Sequence, residues 1–212
     1  MNDMRLQALE IAVSAHKDQL DKGGHPYILH PIWVANKMST VAEQTVALLH
    51  DLIEDTDWMI CELIRIGFDN QIIAAVDAIT KRHGETREQY LDRVKANPIA
   101  LKVKIADLVH NSDITRLETI TARDITRRNN YQHDIGYLLD MPKFKKNGLW
   151  YWCYGPFEIH QSTTNNPDGS HGPAISYIAM QGNNIMTIKN TLGEAVWALD
   201  RYSNFHDIEV LI

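Results

Sequence analysis

Residues 45–56 read Thr-Val-Ala-Leu-Leu-His-Asp-Leu-Ile-Glu-Asp-Thr, and they hold the densest chemistry in the chain. On a helix, His50 and Glu54 lie four residues apart, as do Asp51 and Asp55, so two neighbouring ridges present one imidazole and three carboxyl groups together. Bunched carboxylates repel unless a positive charge sits among them. A divalent cation supplies that charge, whereas apolar surroundings would raise their pKa values and destabilise the helix. A His-Asp dipeptide alone is weak evidence, and this chain has three. His133-Asp134, in the polar stretch RRNNYQHD, and His206-Asp207, near the end, both read as solvated surface. His50-Asp51 differs in directly following four apolar residues, although a lone buried pair of this kind can equally be a structural hydrogen bond. Two more residues bear on the choice. His30 stands in PYILHP at a helix entrance, and Asp107 lies in the apolar segment 103–109, where an unpaired carboxylate would be costly. Two histidines and two aspartates form a mixed nitrogen and oxygen set suited to Mn, Fe or Zn, with positions left for water and substrate.

Helices must position these groups. Residues 1 to about 140 read as consecutive helices, with apolar residues at three and four spacing and stop and start residues at the breaks. Leu6, Leu9, Ala12 and Val13 make the buried stripe expected of a first helix ending near Lys17, and Pro31 suits the first turn of the next. A third helix is expected over about 42–54, a fourth capped by Thr56 or Asp57 and ended by Gly67, and a fifth from Asp69 through Ile79. Pro98 opens another to about His110, and the last of this part covers about 123–139.

Beyond Met141-Pro142 the composition shifts: 11 of the 48 charged residues but 10 of the 17 aromatics lie in the last 72 positions. A domain boundary is expected there, giving domains of 1–140 and 141–212. Segments 149–154, 157–161, 175–181 and 184–188 read as strands, and 192–202 as one helix. Trp150, Trp152, Tyr154 and Phe157 suit the core of so small a sheet better than a binding face, and His160 and His171 read as loop residues. A net charge of −6 argues against a surface that grips nucleic acid. No apolar run approaches the ~20 residues of a membrane span, and the first residues lack a targeting pattern, so a cytoplasmic location is expected. Cys61 and Cys153 have no CxxC partner and read as plain thiols.

Four motifs, AHKDQLDKGGHPYILHP (15–31), VALLHDLIEDT (46–56), AITK (78–81) and VKIADLVHNSDITRL (103–117), come in the order found in one family. In these the chain resembles the HD-domain metal-dependent phosphohydrolases, and within them the alarmone hydrolases of the stringent response. The resemblance covers about 15–140. It implies a mainly α fold, an HD-domain helical bundle followed here by a small α+β C-terminal appendage. It further implies a metal site of His30, His50, Asp51 and Asp107, usually holding Mn²⁺ though another divalent metal would serve, with Glu54 and Asp55 positioning and deprotonating the attacking water. Lys22 matches the family's phosphate-binding lysine, Asn111 its nucleotide-facing asparagine, and Arg127 and Tyr131 its substrate-contacting arginine and tyrosine. Lys81, Arg93 and Lys104 are further cations near the motifs that could hold an anionic substrate.

The implied reaction is hydrolysis of the 3′-pyrophosphate of ppGpp, or of ppApp or pppApp, releasing pyrophosphate. The family's first motif commonly has Arg-Lys before its glycine and this chain has Asp21-Lys22, which leaves guanine and adenine alarmones both open. Two other readings stand beside it: a general HD nucleotide phosphatase or phosphodiesterase, and a non-catalytic nucleotide-sensing or partner-binding module. A homo-oligomer contact or a protein partner through 141–212 stays open as well.

Overall fold

The computed structural model describes residues 3–141, 143–146, 149–154, 157–165, 171–181 and 184–205. The chain packs as two compact units, Met1–His110 with Arg116–Glu118, and Asn111–Thr115 with Thr119–Ile212.

The first unit is helical, with α1 Met4–Ala15, α2 Leu29–Ala35, α3 Val41–Leu49, α4 Leu52–Asp55, α5 Ile60–Ile66, α6 Asn70–Ile79, α7 Arg87–Lys95 and most of α8 Pro98–Ser112. Local sequence dictates several of the boundaries. Thr40 and Glu43 form a capping box at α3: the Thr40 hydroxyl accepts the Glu43 N–H (3.2 Å) while the Glu43 carboxylate accepts that of Thr40 (3.0 Å). Gly67 takes the left-handed conformation (φ 99°) that ends α5, and the Asn97 side chain caps α8 ahead of Pro98. The core is drawn from α3 (Val46, Ala47, Leu49), α6 (Ile72, Ala75, Val76, Ile79) and α8 (Val103, Ala106, Leu108).

Four features of this unit differ from expectation. In α1 the buried face is Ala8 and Ala12, while Leu6 is 61% and Val13 46% exposed. The helix has apolar residues on two faces, and the alanine face is the one that lets α1 approach α3 closely. The third expected helix is broken: α3 stops at Leu49 and α4 begins at Leu52. The His50 ring N–H donates to the Ala47 carbonyl (2.7 Å), the acceptor a continuing helix would offer to the residue 51 amide, and Asp51 sits at φ −100°, ψ 0°. The fourth expected helix starts at Ile60, because the Thr56 hydroxyl is taken up in the preceding turn by the Leu52 carbonyl and the Trp58 N–H. Helix α7, capped by Thr86 and Gln89, fills a stretch given no element in advance.

In the second unit, α9 (Ala122–Leu138) and α10 (Leu192–Phe205) accompany an antiparallel meander of β1 Lys143–Lys146, β2 Leu149–Tyr154, β3 Phe157–Asn165, β4 His171–Gln181 and β5 Asn184–Lys189. The expected strands are present, β3 and β4 longer than expected, and β1 is an addition. Trp152 pairs with Ile159 and Ile159 with Ala179, which lines up buried residues on one face, and Leu192, Ala195, Val196 and Leu199 bury one stripe of α10. The composition shift at 141 is not the boundary by contacts, because α9 packs with the sheet. Arg128 donates to the Asn190 carbonyl (2.5 Å), Gln132 accepts the Leu192 N–H (2.5 Å), and Gly136 leaves the space the Trp152 indole fills. Asp134, expected at the surface, is buried. The side chains of Trp150, Tyr154, Phe157 and His171, and all of His206-Asp207, lie outside the described residues. No helix among the described residues is long and apolar enough to cross a membrane.

Candidate active site

Three segments of the first unit converge on one point. The entrance of α2 brings His30, the α3–α4 break brings His50 and Asp51, and the middle of α8 brings Asp107. His30 Nε2 lies 3.2 Å from His50 Nε2, 3.1 Å from Asp107 Oδ1 and 3.5 Å from Asp51 Oδ2. His50 Nε2 lies 2.8 Å from Asp51 Oδ2 and 3.7 Å from Asp107 Oδ1. Metal bonds of about 2.1 Å put neighbouring donors about 3.0 Å apart in an octahedron and about 3.4 Å in a tetrahedron. The observed separations span those values, and His30, His50 and Asp107 make a cluster able to hold a metal ion. Because His50 Nδ1–H donates to a carbonyl, its Nε2 is the nitrogen left to face the cluster. The residues present therefore fit a divalent cation.

A further layer orients these donors. His30 Nδ1 pairs with His110 Nδ1 at 2.7 Å, and the His110 ring also packs on Trp33. Lys104 Nζ donates to Asp107 Oδ2 (2.8 Å), leaving Oδ1 toward the imidazoles. The Tyr27 hydroxyl donates to Asp51 Oδ2 and lies 3.3 Å from Asp55 Oδ2. The Lys81 backbone N–H donates to Glu54 Oε1 (2.7 Å).

Burial opposes charge throughout the cluster, and pairing overcomes it. Burial pushes Asp51 and Asp107 up, but His50 and His30 for the first, and Lys104 and the imidazoles for the second, hold both well below the usual carboxylate range. Burial likewise opposes the charge of His30, His50 and Lys104, and the facing aspartates raise all three. Burial and then Asp51 push Tyr27 far above its ordinary value, so it remains a donor. Glu54, its tip open to solvent, is raised first by desolvation and then by Asp51 and Asp55, against the pull of the Lys81 N–H and Lys104. Asp55 is raised by desolvation and by Asp51.

The cations named as substrate contacts divide. Lys22 and Lys81 are exposed. Lys104 is committed to Asp107. Arg93 is occupied otherwise than expected: its guanidinium donates to the carbonyls of Asp77, Ala78 and Thr80 at the end of α6 and to both oxygens of Glu85, which makes it a clamp of the fold. Asn111 follows Asp107 by four residues on α8. Arg127 and Tyr131 lie on α9 in the second unit, where Arg127 pairs with Asp124 at 2.5 Å. Asp21, the departure from the family pattern, accepts the Gly23 and His25 N–H groups and pairs with Arg116 at 3.0 Å. Sequence reasoning missed Tyr27 and His110. Each stands three residues from a predicted ligand, which is the one signal that could have drawn attention to it.

Two imidazoles and two aspartates at one point, with two more carboxylates a turn away, are a donor set suited to a metal-dependent hydrolase, and comparison with known proteins places the chain among the HD-type hydrolases. The chain is 34% identical over 119 residues to the guanosine-3′,5′-bis(diphosphate) 3′-pyrophosphohydrolase of Mus musculus, covering 50% of this chain and 66% of that one. It is 34% identical over 121 residues to the protein of the same name from Borreliella burgdorferi, and 33% identical over 118 residues to a probable GTP pyrophosphokinase of Mycobacterium leprae. Each of these two matches covers 50% of this chain, and the chain spans 18% and 15% of their respective lengths. Among solved structures, a metazoan ortholog of SpoT that hydrolyses ppGpp shares the fold, with a TM-score of 0.53 and 22% identity over 66% of this chain and 85% of that chain. No family model matches the chain.

Proposed function

We propose that this chain is a metal-dependent alarmone hydrolase that cleaves the 3′-pyrophosphate of ppGpp, ppApp or pppApp and releases pyrophosphate. The observation that carries the reading is the convergence of His30, His50, Asp51 and Asp107, with Glu54 and Asp55 one turn farther along the chain. Those four residues would hold the metal, Mn²⁺ being the expected ion. Bound there, it would draw negative charge from the phosphoryl group and lower the pKa of water.

The remaining work falls to side chains of this chain. Glu54, raised in pKa and fixed by the Lys81 N–H, accepts the proton of the attacking water as the new P–O bond forms and the bond to the ribose 3′ oxygen breaks. Asp55 stands beside it and completes the carboxylate pair. Lys22 and Lys81, both in the first unit, are the proposed partners of the nucleotide's phosphates; Lys104 and Arg93 leave that role for the contacts described above. The mouse relative supports hydrolysis over synthesis, because its name carries the hydrolase activity alone and this chain spans 66% of it.

The test is product analysis of purified protein with Mn²⁺ against ppGpp, pppGpp, ppApp and pppApp, with GTP and ATP as decoys and an EDTA control. Pyrophosphate release from at least one alarmone, abolished by EDTA, is the expected result, and it names the base. Silence on all four alarmones with phosphate released from the decoys would transfer the protein to the general nucleotide phosphohydrolases.

A further inference from the structure

We propose that Tyr27 is a positioning residue of this site: its hydroxyl donates to the ligand carboxylate of Asp51, beside the neighbouring carboxylate of Asp55, and so sets the angle at which Asp51 meets the imidazoles. The inference rests on the metal-hydrolase reading above. It starts from a weakness in the local structure. Helix α4 is a single turn, too short to be stable by itself, yet it must hold two carboxylates in place. The hold comes from segment 16–27. The Tyr27 hydroxyl donates its one hydrogen to Asp51 Oδ2 and has Asp55 Oδ2 within 3.3 Å. The Tyr27 N–H donates to the Gln19 carbonyl (2.9 Å), and the Gln19 amide donates to the Asp55 backbone carbonyl (2.9 Å). Both ends of α4 are thereby gripped from one strip of chain.

The ring of Tyr27 is fixed as well. It meets His30 edge-on at 5.7 Å and packs against His16 at 5.0 Å. His16 is buried, and its state follows from its neighbours. Gln19 spends its amide N–H on Asp55, so its Oε1 accepts from His16 Nδ1–H (2.8 Å), and the unpartnered Nε2 of His16 is a bare lone pair and not an orphaned donor. His16 and Gln19 thus brace Tyr27 and Asp55. Among the described residues the other groups paired with Asp51 Oδ2 are imidazole nitrogens, which are the groups that turn toward a metal, so the tyrosine hydroxyl is the donor left to orient the carboxylate.

The experiment replaces Tyr27→Phe, which keeps the ring and removes the hydroxyl. Expected are a fall in Mn²⁺ affinity of about 10- to 100-fold by Mn²⁺ EPR titration and a fall in kcat of about tenfold at saturating Mn²⁺. KM for the alarmone should stay within about twofold, a split that a merely loosened fold would not give. Wild-type Mn²⁺ affinity and kcat in Tyr27→Phe overturn the inference. A second measurement needs no variant. In wild-type protein carrying ζ-¹³C tyrosine, Zn²⁺ addition should shift a tyrosine resonance as Asp51 is drawn to the metal, and absence of any shift in protein that binds Zn²⁺ overturns the inference too. A wild-type chain that binds no Mn²⁺ removes the hydrolase reading and this inference together, whereas a working wild type beside an unaltered Tyr27→Phe removes this inference alone.

Discussion

Replacing Lys104→Met separates two roles for a buried cation. By residue type and place in the motif, Lys104 could hold a substrate phosphate. In the structure its ammonium donates to Asp107 Oδ2 at 2.8 Å, its side chain is 17% exposed, and its Nζ sits 5.4 Å from the Tyr90 ring centroid. The other Asp107 oxygen is left 3.1 Å from His30 Nε2. Lys104 therefore orients Asp107, one of the four residues proposed to hold the metal. A charge-assisted hydrogen bond contributes roughly 1.5–3 kcal/mol, and at 1.4 kcal/mol per tenfold that is a loss of about 10- to 100-fold in metal affinity. The fold should survive, because Asp107 keeps both imidazoles as partners. Mn²⁺ titration by EPR measures the affinity, and steady-state kinetics at saturating Mn²⁺ measures KM. Weakened Mn²⁺ binding with KM within about twofold is the expected result. Unchanged Mn²⁺ affinity with KM raised tenfold or more would refute the orientation of Asp107 by Lys104 and return the ammonium to the phosphate.

Three other outcomes follow from the same geometry. Asp51→Asn should lose both Mn²⁺ binding and turnover, and an active variant would remove Asp51 from the metal site. Glu54→Gln should keep Mn²⁺ affinity and lose ~10² to 10⁴ in kcat, and a full-speed variant removes Glu54 from the mechanism. Glu43 is buried, and Lys102 with the Thr40 and Ser39 N–H groups outweighs that burial to depress its pKa below 4.5. Its stabilisation is then fully present above 4.5 and lost as pH falls through the lower folded value, so Glu43→Gln should cost about 1 kcal/mol at pH 7 and flatten the acid decline of the melting temperature, and identical melts at pH 7 would contradict this.

The donor set was legible because residue types in unusual company are readable without coordinates. A histidine and an aspartate after four apolar residues, and an aspartate inside an apolar helix, need an explanation whatever the tertiary structure. Partners were not legible. Arg93 and Lys104 looked equivalent as cations near motifs, and only packing separates the one that clamps the carbonyls of α6 from the one that orients a ligand. Asp134 fails for a similar reason: its neighbours in sequence are polar, but α9 lies against a sheet that is remote along the chain. The grouping of α9 with the strands was hidden because Arg128 and Gln132 are polar residues spent on the backbone at Asn190 and Leu192, contacts that carry no hydrophobic signature.

The break at His50 carries the remaining lesson. Reading 42–54 as one helix put His50 over Glu54 and Asp51 over Asp55, which brought the right residues together for an incomplete reason. Adjacent residues of a regular helix point about 100° apart, so the periodicity argument alone gives no reason for His50 and Asp51 to meet at one point. In the structure His50 Nε2 and Asp51 Oδ2 are 2.8 Å apart at the point where the helix is interrupted between Leu49 and Leu52. The His50 ring holds the break open by taking the Ala47 carbonyl, and the same bond fixes which nitrogen faces the cluster. The interruption that a periodicity argument would count as a defect therefore lies at the centre of the proposed site, where one side-chain bond sets both the end of α3 and the imidazole nitrogen turned to the cluster.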